Sequence, residues 1–182
     1  GLGCAGGAAG LTLACEWARA FPRSRVLLLA IELCSLTFQR NDVSKSNLIA
    51  TSLFADGAAA VLICGDAVGR EGPQWLGSMS KTWRDTLDVM GWKVTDDGLD
   101  VIFSKDIPTF VRHYLRDAVM QFIQKQQLSG IDRLDHLIAH PGGVKVIQAY
   151  ADVFGVPADK FFPSLHVLKN YGNMSSPTVL FV

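Results

Sequence analysis

The sequence carries no excess of charge of either sign. Lys+Arg and Asp+Glu each number 17, and the formal net charge is +0. No block of like charge stands out, which argues against a nucleic-acid partner and against an anionic-membrane surface. Apolar runs such as Val26 to Ile31 are far too short to span a bilayer. Four cysteines are present, Cys4, Cys15, Cys34 and Cys64, with no C-x-x-C pair and no H-x3-H beside them. Neither a zinc site nor a disulfide framework is expected from that spacing. Isolated cysteines in an apolar chain point to a reducing compartment, hence the cytoplasm. The chain has no initiator Met, and no positively charged stretch precedes its small apolar start, so no signal peptide is read. A chain opening on Gly1-Leu2-Gly3-Cys4 is expected to be a fragment of something longer. Low-complexity segments and short-period repeats are absent too.

What the sequence has is core. Of 182 residues, 49% are hydrophobic and 19% charged, enough for one substantial domain or two small ones. "AAGLTLACEWARAF" after Gly7 reads as a helix ended by Pro22. "RVLLLAIE" and "AAAVLIC" read as strands buried on both faces. Between them "NDVSKSNLIATSLF" reads as a helix, with Asn41, Asp42 and Ser44 as candidate caps. Helix, strand, helix, strand favours a layered α/β fold. The glycine-rich stretch from Gly65 to Gly77 marks an internal boundary. Beyond it, "WLGSMSKTW" and "GLDVIFS" read as strands, paired through the loop at Asp96-Asp97-Gly98. "PTFVRHYLRDAVMQFIQKQQL" is the clearest helix, with Pro108 in its first turn and Ser129-Gly130 at its end. "RLDHLIAHPGG" reads as a strand running into a turn. "VKVIQAYADVF" reads as a helix burying Val144, Ile147, Ala151 and Phe154. "PADKFFPSLHVLKN" is expected to be irregular because Pro163 interrupts it. The two parts are compatible with a distant duplication.

Candidate chemistry centres on Cys4. A thiol at a helix start meets free backbone N–H groups and the positive end of the dipole, both favouring the thiolate. Its flanking glycines permit close approach of backbone or substrate. A buried packing cysteine is the competing reading, and this feature taken alone favours it. Gly1 and Gly3 lack the G-x-G-x-x-G spacing of a dinucleotide site. Of the histidines, His113 falls on the polar side of the long helix, and His136 and His166 have no evident partner. His140 ends an apolar segment before Pro141-Gly142-Gly143, where α/β folds present catalytic groups, although a backbone-bonded structural histidine fits as well. Asn173, in "YGNMSS", reads as a cap or a turn residue on its own. Together the three make a coherent acyl-transfer set: a cysteine to attack a thioester, and two donors for the oxyanion or enolate that follows.

The motifs "GCAGG" (3–7), "LFADGAAAVL" (53–62), "KDIP" (105–108), "IAHPGG" (138–143) and "YGNMSS" (171–176) run in the order found in type III polyketide synthases. The whole chain resembles that chalcone and stilbene synthase-like family. "IELCSLTFQRNDVSKSNLIATSLFADGAAA" is more similar to the bacterial alkylpyrone and alkylresorcinol synthases. The resemblance implies the thiolase-like fold, two α/β halves in α-β-α-β-α layers, in an obligate homodimer. Residues 1–66 would close the N-terminal half, and 67–182 would form most of the C-terminal half. It implies acyl-CoA and malonyl-CoA as substrates and no separate cofactor or metal. By position, Cys4 matches the acyl-accepting nucleophile. His140 and Asn173 match the pair that poises the thiolate, assists decarboxylation and stabilises the enolate. Phe54 matches a gatekeeper aromatic between the coenzyme A tunnel and the reaction cavity. Cys34, Thr37 and Ser175 match cavity positions, and Gly142 is assigned with them to substrate binding. A second gatekeeper aromatic is replaced here by Val101, with Phe103 the nearest ring.

Within the fold, a ketoacyl-ACP synthase III-like enzyme is the alternative, but its histidine usually sits in an "HQAN"-like segment rather than "HPGG". Thiolase needs a catalytic cysteine after the histidine, and none follows Cys64. Hydroxymethylglutaryl-CoA synthase needs a glutamate from the first half. From another class, the chain could be an inactive fragment serving only as a structural or interaction domain. The 182 residues alone are expected to be inactive or unstable, which full turnover of malonyl-CoA would refute.

Overall fold

The computed structural model describes residues 2–96 and 98–182. Cys4 lies in a short 3-10 turn, Gly3–Ala5, which runs straight into helix α1, Gly6–Ala20. The buried residues of α1 are Gly7, Ala14, Cys15 and Ala18, one face at helical spacing. That face packs on strand β1, Arg25–Glu32, which pairs antiparallel with β2, Gly57–Cys64. Helix α2, Lys45–Leu53, connects them. Its cap is Ser44, whose side chain accepts from the Asn47 N–H at 3.2 Å, while Asp42 accepts from Ser44 in turn. Of the three candidate caps, Ser44 is the one that caps.

The reading of β1 and β2 as buried on both faces is corrected. Side chains alternate across a strand, so Leu28 and Ala30 turn toward α1 while Leu27, Leu29 and Ile31 turn away. On that second face Leu27 is paired with Leu62, Leu29 with Ala60 and Ile31 with Ala58. Leu27, Leu29, Ile31 and Leu62 are more than half exposed, because no described element covers them.

Strands β3, Met90–Thr95, and β4, Gly98–Phe103, form a second antiparallel pair. The expected pairing around Asp96 and Gly98 is present, and Asp97 lies outside the described residues. The first of these strands was expected at "WLGSMSKTW". Residues 75–83 are irregular instead, and the strand falls on the following "MGWKVT". There the β-branched and aromatic residues face β4, whereas 75–83 pairs with nothing described.

Helix α3, Ile107–Lys125, carries Pro108 in its first turn as expected. It stops before Ser129-Gly130. Gln127 takes a left-handed φ of 55°, and Leu128 N–H closes on Ile123 O at 3.0 Å. Helix α4, Val144–Phe154, matches its expected span and ends at Gly155 with φ 63°. Its buried face differs from the expected one: Val146, Ile147, Ala149 and Val153 are inside, while Val144 is 54% exposed in the first turn. Arg112 of α3 reaches Asp152 of α4 at 2.8 Å, and Arg116 donates to Val153 O at 2.7 Å.

Two further expectations fail for identifiable reasons. "RLDHLIAHPGG" forms no strand: a 3-10 turn, Ile131–Arg133, leads into an irregular segment with no described strand beside it. "FPSLHVLKNY" is regular helix, α5, Phe162–Tyr171, because Pro163 occupies its first turn, where a missing N–H costs nothing. The short helix α6, Thr178–Phe181, ends the chain.

Helix α1 can reach the loop after α5 because Gly7 has no side chain. A Cβ there would collide with the backbone carbonyl of Ser176 and with Val179 Cγ1 at 2.9 Å. Gly7→Ala is therefore expected to destabilise the fold by about 1–3 kcal/mol, as overpacking at a rigid contact does. A chemical denaturation midpoint unchanged from wild type would contradict this close approach.

Candidate active site

The loop after α5 builds the site. Residues 173–178, Asn-Met-Ser-Ser-Pro-Thr, are all buried, so their polar groups must be satisfied within the protein. Asn173, fully buried, is held by its main chain: its N–H donates to Leu53 O and its carbonyl accepts from Ala55 N–H, both at 2.9 Å. This is a single parallel bridge between Asn173 and Phe54, at the end of α2. The Asn173 Oδ1 accepts from Ser175 N–H at 2.9 Å and from the Thr178 hydroxyl at 3.4 Å. The Ser175 N–H identifies Oδ1, and Cys4 Sγ stands 3.9 Å from both Oδ1 and the Nδ2 donor. Ser175 has a left-handed φ of 59°, and its side chain lowers the Cys4 thiol pKa. Ser176 donates to Glu32 Oε1 at 2.6 Å, tying the loop to the end of β1.

Cys4 is brought to this loop across 169 positions of sequence. Its thiol pKa is raised: burial dominates, Ser175 and Asn173 act against it, and the charge of Glu32 adds to it. The expectation that a helix start would favour the thiolate is thus overruled by desolvation. His140 shows the same physics with opposite sign. Both ring nitrogens are buried without a hydrogen-bond partner among the described residues, and burial pushes the imidazole down to about 4. Burial acts on Tyr150 as well. Its hydroxyl donates to His140 O at 3.3 Å, and the Cys4 charge helps burial push it up to about 12. Cys4 and His140 therefore rest as thiol and neutral imidazole.

A neutral buried imidazole predicts acid sensitivity. With a folded pKa near 4 and an unfolded value near 6.5, the unfolded chain takes the proton first as pH falls. The stability is full above about pH 6.5 and is lost on the way down to pH 4, by about 3 kcal/mol. Denaturant unfolding at pH 7 and pH 4.5 should show this loss, and His140→Gln should lack that part of it. Equal losses in the two proteins would contradict a neutral His140.

A cavity of about 510 Å³ reaches the site through Phe54 and Ala55, whose backbone pairs with Asn173, and none of Cys4, His140 and Asn173 lines it. Cys34, Thr37, Phe54 and Val101 all line it, together with Asn47, Asp56 and Trp92. Asp56 fixes one wall by accepting from the Ser35 N–H at 2.7 Å and its hydroxyl at 2.6 Å. These bonds hold the Asp56 carboxyl below its usual range. Cys34 is pushed up to about 11 by burial and by nearby Glu32, Cys4 and Asp56, which makes it a poor nucleophile. The other two residues assigned to substrate binding lie elsewhere. Ser175 acts on the Cys4 thiol, and Gly142 lies beneath the His140 ring, where a Cβ would stand 3.7 Å from Cδ2. His113, His136 and His166 are exposed.

Sequence reasoning missed Trp92, Tyr150 and Glu32. Trp92 faces Val101 across the β3–β4 ladder, and its ring centroid is 6.4 Å from that of Phe54. Phe103 stands 6.2 Å from Phe54. The aromatic surface that Val101 does not offer is thus supplied by its cross-strand neighbour, a relation visible only once the register is known. Glu32 was legible as the lone charge ending an apolar run, and Tyr150 as a polar-tipped ring three residues past buried Ile147.

The fold has known counterparts. The solved structure of 1,3,6,8-tetrahydroxynaphthalene synthase from Streptomyces coelicolor A3(2), a bacterial type III polyketide synthase, superposes with a TM-score of 0.90 at 28% identity, over 98% of this chain and 50% of that one. The model of the chalcone and stilbene synthase N-terminal domain matches residues 1–67, and that of the C-terminal domain matches residues 77–182. The chain belongs to the chalcone and stilbene synthase family of type III polyketide synthases. Among curated relatives, a putative chalcone synthase of Bacillus subtilis (strain 168) is 47% identical, over 100% of this chain and 51% of its own length. A 1,3,6,8-tetrahydroxynaphthalene synthase of Streptomyces peucetius subsp. caesius is 39% identical, over 99% and 48%. The chain thus spans about half the length of the curated relatives it matches.

Proposed function

We propose that the protein transfers an acyl group from an acyl-CoA to Cys4 and extends it by decarboxylative Claisen condensation with malonyl-CoA. The carrying observation is Cys4 Sγ at 3.9 Å from the Asn173 amide, together with a cavity of about 510 Å³ that Phe54 lines. The thiol gives its proton to His140 as sulfur attacks the thioester carbonyl, and the coenzyme A thiolate leaves. Malonyl-CoA then loses carbon dioxide, and its electrons pass to the thioester oxygen. N–H donors from Asn173 and from the now protonated His140 stabilise that enolate. The enolate carbon attacks the acyl-Cys4 carbonyl and frees the sulfur. Repetition and cyclisation give a pyrone, resorcinol or chalcone-type product. A long-chain acyl starter is the preferred reading, supported by the bacterial-branch likeness.

The substrates are coenzyme A thioesters, and this chemistry calls for no separate cofactor. A homodimer is supported by the exposed apolar side chains of Leu36, Phe38 and Val43 around the site's entrance turn. A cytoplasmic location is supported by four free cysteines, and no helix among the described residues is long and apolar enough to cross a membrane.

The test is product analysis by mass spectrometry with acyl-CoAs of graded length plus malonyl-CoA. Wild type should release pyrone or resorcinol products, and Trp92→Ala should shift them toward longer starters or further extensions. Free acids alone, unchanged by Trp92→Ala, would overturn the assignment.

A further inference from the structure

His140 has no hydrogen bond on either ring nitrogen among the described residues. A working histidine is usually oriented through its second nitrogen. Here nothing polar grips the ring, so its position must be set through its main chain. That main chain is irregular as well: 134–142 lies in no helix or sheet. The His140 carbonyl accepts from the Gly142 N–H at 3.0 Å, and side chains from the helices behind add further bonds to the segment. The fully buried Ser164 of α5 donates to Ala139 O at 2.7 Å. Tyr150 of α4 donates to the next carbonyl, His140 O, at 3.3 Å. Pro141 follows, fully buried and with its φ fixed by the ring. Phe161 backs the Tyr150 ring at 5.9 Å between centroids.

We infer that Ser164 and Tyr150 are positioning residues, two hydroxyls that hold consecutive carbonyls of the His140 segment and so fix the imidazole for proton exchange with Cys4. The inference rests on the proposed role of His140. No described strand neighbours the segment, so Ser164 serves the Ala139 carbonyl and Tyr150 joins the Gly142 N–H on the His140 carbonyl, at the point where the imidazole leaves the backbone. Burial keeps the Tyr150 hydroxyl protonated at neutral pH, so it stays a donor.

The test uses the full-length protein with Tyr150→Phe, Ser164→Ala and Ser164→Thr, each checked for folding by circular dichroism. Two quantities are read: kcat and KM for malonyl-CoA decarboxylation, and the pH profile of Cys4 alkylation by iodoacetamide. Tyr150→Phe and Ser164→Ala should lower kcat about tenfold with KM within about twofold, as a small displacement of a catalytic group does. Both should move the alkylation profile to higher pH, and Ser164→Thr, which keeps the hydroxyl, should restore it. In a His140→Gln background the Tyr150→Phe shift should vanish, since the effect travels through His140. If Ser164→Ala does not fold, Tyr150→Phe and Ser164→Thr decide. A folded Tyr150→Phe with wild-type kcat and profile overturns the inference, as does an undiminished shift without His140. A wild-type protein that decarboxylates no malonyl-CoA, yet shows the shift with Tyr150→Phe, overturns the proposed function and leaves the clamp standing.

Discussion

Cys4→Ala abolishes covalent acyl loading. The expected loss is on the order of a thousandfold or more, the scale seen when a covalent nucleophile is removed. No other described cysteine can substitute. Cys34 also lines the cavity, but it is pushed up to about 11 and has Asp56 and Glu32 for neighbours, so its thiolate fraction at neutral pH is small. Cys15 is buried on the packing face of α1, and Cys64 pairs with Arg25 at the end of the sheet opposite Glu32. The alanine should fold normally, because Cys4 is half-buried in a short 3-10 turn and its sulfur stays 3.9 Å from the Asn173 amide, a long contact to lose. Loss of loading with retained stability is the joint signature. Intact-mass measurement after incubation with acyl-CoA reads the first part and thermal unfolding the second.

Asn173→Ala should cut malonyl-CoA decarboxylation by about 10²–10³-fold, the usual cost of one oxyanion-hole donor. It should also cost stability, about 1–3 kcal/mol, because the Ser175 N–H loses a buried acceptor. Asn173→Asp separates these effects. The carboxylate keeps an acceptor for Ser175 N–H and the Thr178 hydroxyl, so the loop is retained. It removes the donor that faces Cys4 and sets a negative charge beside the sulfur, raising the thiol further. Decarboxylation should therefore fall as far with aspartate as with alanine, while much of the stability returns. His140→Ala should suppress the same step, since it supplies the second donor. Decarboxylation by Asn173→Asp near the wild-type rate would remove Asn173 from the chemistry.

Local pattern was enough where local forces decide. The span of α4, the Ser44 cap, the Pro108 start of α3 and strand β4 follow from periodicity, capping and turn chemistry within a few residues of each position. The motifs carried the family and with it the fold, which no periodicity argument could have reached. Failures came where a distant partner decides. The His140 segment looked like a strand by composition, yet its carbonyls go to Ser164 and Tyr150, which no local rule foresees. The strand before β4 was set by pairing register rather than by the aromatic content of 75–83. Leu27, Leu29 and Ile31 looked like interior residues, but only one face of their sheet is covered by described elements. The most instructive miss is the sign of the Cys4 shift. A helix N-terminus was a sound argument for a low pKa, and burial against the 173–178 loop outweighed it.

The central claim is that Cys4 accepts the acyl group. Its most direct test is intact-mass analysis of the full-length protein after incubation with a long-chain acyl-CoA, followed by peptide mapping of any adduct. The account predicts a single acyl increment on the peptide containing Cys4, absent from Cys4→Ala. An increment located on Cys34, or one that persists in Cys4→Ala, would contradict it.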